Sequence, residues 1–275
     1  MSDLISVITP AYNARECIRA AVESVLGQTY TAWEMIIVAD DDQDYQQILG
    51  THNIVDRRLR FYSTGQRQSG PNFSRNIGLD AAHGNYIATL DADDIYYPDR
   101  LQQLLNGAQE TGLSLGNVVT ASGTDFEKKA EALTMAPGHF FFENYKKCLV
   151  PLVFFFNRDL IRSGWDVDVT RGSDTLFNLR AMEEAGYAIY MDNAVYEYRI
   201  HNQSLCHMPG SEVAFADAYR HALTRLESDG LGFRDAGFRQ KVIGMLLEKE
   251  AINAEFAEAV QNGYGGNYQD FVAKR

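Results

Sequence analysis

In the N-terminal third, short unbroken apolar runs alternate with segments whose apolar residues recur every three or four positions. "LISVITP" (4–10) predicts a buried strand that ends at Pro10. From Ile18 the apolar positions are Ile18, Ala21, Val22, Val25 and Leu26, the spacing of one helix face. "WEMIIVAD" (33–40) predicts a second strand, and the alternating "RLRFYST" (58–64) a third. "SRNIGLDAAHG" (74–84) predicts a short helix stopped by Gly84, followed by a strand through Tyr86, Ile87, Ala88 and Leu90. Pro98 then opens a helix at a favoured first-turn position, with Leu101, Leu104, Leu105 and Ala108 on one face.

This order of strands and helices predicts an α/β fold with a mostly parallel sheet, in which ligands bind beyond the carboxyl ends of the strands. Polar segments stand there: "TPAYN" (9–13), "ADDDQD" (39–44) and "DADD" (91–94). The second half is less regular. "NVVTASG" (117–123) predicts a strand, "PLVFFFNRDLIRSG" (151–164) a strand leading into a short helix, and "SDTLFNLRAMEEAG" (173–186) a helix with Ser173 or Asp174 at its start and Gly186 past its end. "YAIYMDNAVYEYRIH" (187–201) is strand-like, and two amphipathic helices are expected after Pro209, at about 212–228 and 234–261. The main unit is therefore expected to be 1–208, with 209–275 as a C-terminal helical extension.

Composition narrows the classes. The chain has 275 residues, 45% of them hydrophobic, enough for a sizeable core. A net charge of -12 argues against a nucleic-acid binder, which carries a basic stripe. Cys17, Cys148 and Cys206 lie far apart without metal-type or disulfide-framework spacing, which suggests a reducing compartment. No signal-peptide pattern opens the chain, and "CLVPLVFFF" (148–156) is too short to span a bilayer and contains Pro151. A cytoplasmic location is expected, with association at the inner membrane face left open.

Asp91, Asp93 and Asp94 pose the chemical question. Three carboxylates in four positions repel one another and are costly to desolvate, yet they end a buried strand. Either they stand in water at a turn, or something positive sits among them.

With these segments in order, the chain resembles the family-2 inverting glycosyltransferases of the GT-A (Rossmann-like) fold. The resemblance spans about residues 4–205. It is carried by "ISVITPAYNA" (5–14), "SVLGQTYTAWEMIIVADD" (24–41), "SRNIGLDAAHGNYIATLDADD" (74–94), "YYPDRL" (96–101), "FFFNRDLIRSG" (154–164), "SDTLFNLRAMEEAG" (173–186) and "YRIHNQS" (198–204). It implies a nucleotide-binding half at about 1–95 and an acceptor half at 96–208. The implied donor is a nucleotide sugar, UDP-linked, and the acceptor a saccharide or lipid-linked hydroxyl.

In the family an aspartate motif holds Mg²⁺ or Mn²⁺ across the donor diphosphate. By that resemblance Asp93 is the metal ligand and Asp91 lies nearer the donor's ribose or sugar. Asp94 is the residue that could serve only as a cap. Asp41 is placed to accept a hydrogen bond from the uracil imide, with Thr9, Pro10 and Tyr12 lining the base pocket; thymine or a guanine edge would offer the same N–H, cytosine would not. The family's Asp-Asp-Gly-Ser is here Asp40-Asp41-Asp42-Gln43, a change of turn, and Asp42 and Asp44 read as solvated loop carboxylates. Arg75 matches an arginine that faces the nucleotide; the plainer alternative pairs it with Asp40 or Asp80. Asp174 matches the general base, although the acidic residue before it is Ser173 here; the plainer alternative is a helix cap. His201 matches a histidine near the diphosphate or metal, His207 reads as a surface residue, and Trp165 as core.

Two rivals stand beside this reading. One is a non-catalytic nucleotide-sugar binder, marked by the departures at Asp42 and Ser173. The other is a sugar-nucleotidylyltransferase, disfavoured because "TPAYNAREC" lacks the glycines of a phosphate loop. The C-terminal helices offer a homodimer interface, a cover for the acceptor or a contact to a membrane-bound partner.

Overall fold

A computed structural model describes residues 3–131, 133, 135–148, 151–200, 210–266 and 268–272. The strands are β1 (Ile5–Ala11), β2 (Trp33–Ala39), β3 (Leu59–Ser63), β4 (Tyr86–Thr89), β5 (Ile95–Tyr96), β6 (Leu113–Ser122), β7 (Lys128–Glu131), β8 (Gly138–Phe140), β9 (Phe154–Asn157) and β10 (Ala188–Arg199). The helices are α1 (Ile18–Leu26), α2 (Tyr45–Thr51), α3 (Pro71–Ala81), α4 (Arg100–Thr111), α5 (Phe142–Lys147), α6 (Ser173–Ala185), α7 (Ser211–Ser228), α8 (Ala236–Gln261) and α9 (Tyr268–Val272).

The strands form one sheet in the order β3-β2-β1-β4-β9-β6-β10-β5, with β7 beside β6 and β8 beside β10. β3, β2, β1 and β4 are mutually parallel; β9 runs against β4 and β6, so β6 and its parallel neighbour β10 share the direction of β1. All the long strands thus point their carboxyl ends at one rim. The chain leaves β1 towards β2 and β3, then returns to β1's other side as β4. That reversal makes the β1/β4 edge the switch point at which α/β sheets bind ligands. β1 also outruns β4: Ile8 pairs with Thr89, the last residue of β4, while Thr9, Pro10 and Ala11 continue beside Ile37, Val38 and Ala39 of β2. The chain after β4 turns off in the space this leaves.

Two large cores flank the sheet. One joins Ile5, Val7, Trp33 and Ile37 to Val22 and Val25 of α1 and Leu101 and Leu104 of α4. The other joins Leu113, Phe154, Phe156 and Tyr190 to Leu176 and Met182 of α6, Leu226 of α7 and Val242 and Leu246 of α8. The two expected C-terminal helices form, and they pack into this second core. α3 lies against the opposite face of β1, where Ile8, Ile36, Val38 and Ile87 meet it. Gly78 sets that approach: a Cβ there would lie 2.4 Å from Ile8 Cγ2.

Several boundaries differ from expectation. α3 begins at Pro71, because a first-turn proline behind Gly70 (φ 95) starts the helix three residues before Ser74. α4 begins at Arg100, with Pro98 in the turn ahead of it. β6 starts at Leu113, four residues before Asn117, since it is buried along almost its whole length. β10 carries an irregularity between Met191 and Tyr196. α2, β5, β7, β8, α5 and α9 had no expectation at all.

Candidate active site

Asp40 and Asp41, at the end of β2, are both buried and fasten loops. Asp40 accepts hydrogen bonds from the Ser69 and Gly70 backbone N–H groups (2.9 and 2.8 Å) and the Thr64 hydroxyl (3.0 Å), which anchors the approach to α3. Asp41 accepts from the Asn13 N–H (2.7 Å) and the Tyr45 hydroxyl (2.9 Å) at Oδ2, and from the Gln43 N–H (3.1 Å) at Oδ1. It therefore ties the turn after β1, where Asn13 has φ 51, to the turn after β2. Asp42 pairs with Arg67 at 3.2 Å between exposed side chains, a contact worth little. Asp44 caps α2 through the Gln47 N–H at 2.9 Å. Of the residues assigned to the base pocket, Thr9 is fully buried and its hydroxyl has no partner among the described residues. Pro10 is half-buried and Tyr12 is exposed.

The three carboxylates after β4 are handled in three ways. Asp91 accepts a 2.7 Å hydrogen bond from Arg75 Nη2, so a cation does sit among them. Asp94 turns into the core, where its carboxyl meets the Tyr196 hydroxyl (2.5 Å) and the Arg199 N–H (2.8 Å). Burial, with Asp93 and Asp91 adding to it, pushes the Asp94 carboxyl well above the usual carboxylate range and favours its neutral form. Asp94 is thus a buried tie between β4 and β10 rather than a helix cap. Asp93 remains partly exposed on the rim. Cys17 lies nearby, its thiol pushed up to about 11 by burial and by Asp93, so it stays protonated at neutral pH.

Arg75 is the centre of the site. Its partners are neither Asp40 nor Asp80. Its guanidinium is buried, and while Nη2 holds Asp91, Nη1 donates to Asp174 Oδ1 at 3.1 Å. Burial works against its charge, and Asp174 and Asp91 more than offset that, raising its pKa above the usual arginine value. Asp174, 99 positions from Arg75, is thereby brought beside Asp91 in the turn after β4.

Asp174 occupies the first turn of α6, whose N-cap is Gly172 (φ 74). Its Oδ1 accepts a second hydrogen bond, from Trp165 Nε1 at 3.0 Å. The side chain is 55% exposed, open to solvent on one side and ringed by protein on the others. That surrounding protein, counteracted by Arg75 and reinforced by Asp91, pushes its carboxyl above the ordinary range. A carboxylate with raised proton affinity is a better base.

α3 also carries the loop that leads to α6. Asn72 Nδ2 donates to the Asp166 and Val169 carbonyls, both at 3.0 Å. Asn76 takes both backbone groups of Trp165, accepting its N–H (2.7 Å) and donating to its carbonyl (2.9 Å). Trp165 is in the core, as the sequence suggested, but its indole contact to Asp174 had no expectation. The available signal was chemical: a buried indole seeks a partner for its N–H. His201 and His207 lie outside the described residues.

Among the described residues, no group of three His, Cys, Asp or Glu side chains could hold a metal ion by itself. Asp93, on the rim, offers carboxylate oxygens, the ligand type that Mg²⁺ and Mn²⁺ prefer. Few protein ligands also suit Mg²⁺, which usually keeps several waters and phosphate oxygens in its shell. The donor set fits such a cation.

Known structures share this architecture. TarS 1–349 of S. aureus superposes with a TM-score of 0.68 over 88% of this chain and 70% of that chain, at 17% identity. The same protein has been solved with UDP and with UDP-GlcNAc. The likeness, at that identity, defines the fold alone: the chain has the GT-A fold. More narrowly, it belongs to glycosyl transferase family 2, whose model matches residues 6–164. It is 32% identical to the "Putative teichuronic acid biosynthesis glycosyltransferase TuaG" of Bacillus subtilis (strain 168), over 74% of this chain and 81% of that protein. It is 34% identical to the "UDP-Glc:alpha-D-GlcNAc-diphosphoundecaprenol beta-1,3-glucosyltransferase WfgD" of Escherichia coli, over 40% of this chain and 43% of that protein.

Proposed function

We propose that the chain transfers one sugar, with inversion at the anomeric carbon, from a UDP-linked donor to an acceptor hydroxyl in cell-surface polysaccharide assembly. The observation that carries this is the Arg75 bridge, which holds Asp91 and Asp174 on its two guanidinium nitrogens. A donor-side carboxylate and a candidate base are thus set on one rim of the sheet. The UDP complexes of TarS support the nucleotide, and the names of TuaG and WfgD support the setting.

Asp174 Oδ2 accepts the proton of the acceptor hydroxyl. The oxygen then bonds to the anomeric carbon as the bond from that carbon to the nucleoside diphosphate breaks on the opposite face. Asp93 would hold Mg²⁺ or Mn²⁺, with His201 as a second ligand by family resemblance. When bound, the cation neutralises charge on the departing diphosphate. Asp91 orients the donor's ribose or sugar. Asp41 Oδ1, with one donor among the described residues, has a lone pair left for an imide N–H, which uracil has and cytosine lacks.

The test is a donor panel read by nucleotide release, with Mn²⁺ or chelator. Turnover of UDP-sugars over CDP-sugars, dependent on the cation, is expected. Tight UDP binding with no release from any donor would overturn the enzyme reading in favour of a binder.

A further inference from the structure

We infer that Trp165 is a positioning residue for the general base proposed above, Asp174. Its indole N–H and Arg75 both load Oδ1, and Oδ2 is left as the oxygen that receives the acceptor's proton. A carboxylate on a single donor can rotate about its last bond and exchange its two oxygens. Here two donors from different segments, α3 and the loop before α6, converge on Oδ1, Arg75 Nη1 at 3.1 Å and Trp165 Nε1 at 3.0 Å. Oδ2 has no hydrogen-bond partner among the described residues, and the side chain is open to solvent.

The indole itself cannot turn away. It is buried, lies 3.7 Å from the Phe177 ring centroid at an interplanar angle of 10°, and has both backbone groups held by Asn76. Phe177 belongs to α6, as Asp174 does, so the stack holds donor and acceptor in register. Among the described residues, the charged and titratable groups that face Asp174 are Arg75 from α3, Asp91 beyond β4 and Tyr145 from α5. Trp165 is its neutral donor, and the one whose loss changes no charge. Phenylalanine at 165 would keep the ring stack and lose only the N–H.

The chain has two tryptophans, Trp33 and Trp165, so a ¹H–¹⁵N spectrum carries two indole signals, and Trp165→Phe identifies one of them. The Trp165 signal should move with pH as Asp174 titrates, and stay still in Asp174→Asn. In nucleotide release from a UDP-sugar, Trp165→Phe should lower kcat roughly 10-fold with unchanged UDP affinity. It should also shift the acid limb of kcat to higher pH, because losing a donor to the charged carboxylate raises its pKa. Trp165→Tyr, whose hydroxyl is a donor, should recover part of the rate. A Trp165 signal that stays fixed as the pH is taken from the ordinary carboxyl range up to neutrality would overturn the role of Trp165 even if Asp174→Asn is inactive. A moving signal in a protein whose Asp174→Asn variant keeps full activity would overturn the base role and the positioning role together.

Discussion

Asp91, Asp93 and Asp94 sit within four positions, yet each meets a different environment. Asp91 has a guanidinium, Asp94 a buried hydroxyl and a backbone N–H, and Asp93 a place on the rim. If Asp93 is the metal ligand, UDP should bind more tightly with Mn²⁺ than with chelator, and Asp93→Ala should erase that difference. Calorimetry showing equal affinity in wild type would sink the cation role. At Asp174 the variant to make is Asn, which keeps the size and can still cap, but accepts no proton at neutral pH. Transfer or donor hydrolysis should fall by ~10²–10⁴ while UDP binding holds within a few-fold. In wild type the rate should drop as pH falls through a midpoint above the ordinary carboxyl value, since the base must be ionised and its pKa is raised. The individual carboxylates were readable in the sequence. Their partners were not, because Arg75 reaches across 16 and 99 positions to find them.

At the scale of elements, α3 does more than cover the sheet. Asn72, Arg75 and Asn76 fall at helical spacing and together hold the loop before α6, the carboxylate on α6 and the aspartate after β4. Asn76→Ala removes both ties to the Trp165 backbone. It should cost about 1–3 kcal/mol of stability and lower turnover even in protein that remains folded, measured by denaturant unfolding beside nucleotide release. Wild-type stability and rate would show that the loop is held by other means. The sequence revealed β1, β2 and β4 because buried strands are continuous apolar runs, and α1 and α4 because their apolar faces repeat. β7 stayed hidden because all four of its residues are exposed, so it has no apolar signature. β5 has two residues and β8 three, too few for a period to show.

At the scale of the molecule, the C-terminal helices share a core with β6, β9, β10 and α6. Leu226, Val242 and Leu246 lie among Leu176, Met182 and Tyr190, and Arg225 reaches Asp166 and Asp168 in the loop before α6. Leu226→Ala should therefore destabilise by about 2–4 kcal/mol, as for other buried leucines. A chain cut after residue 208 should lose the cooperative unfolding of the intact protein. A truncated chain with a wild-type unfolding midpoint would show the helices to be dispensable. Their packing was not readable in the sequence, since an amphipathic face says that something covers it and not what. Among the described residues no helix is long and apolar enough to cross a membrane.

α3 has one more property that follows from how close Gly78 lets it lie to Ile8. A single rigid rod touches both the carboxylate beyond β4 and the one on α6, so it acts as a yardstick between them. Loops on either side can change in length or chemistry while the span between the two carboxylates is kept by Arg75, fixed on that rod. Substitutions that bulge or break this rod should therefore harm every substrate alike, whereas those in the loops should trade one substrate for another.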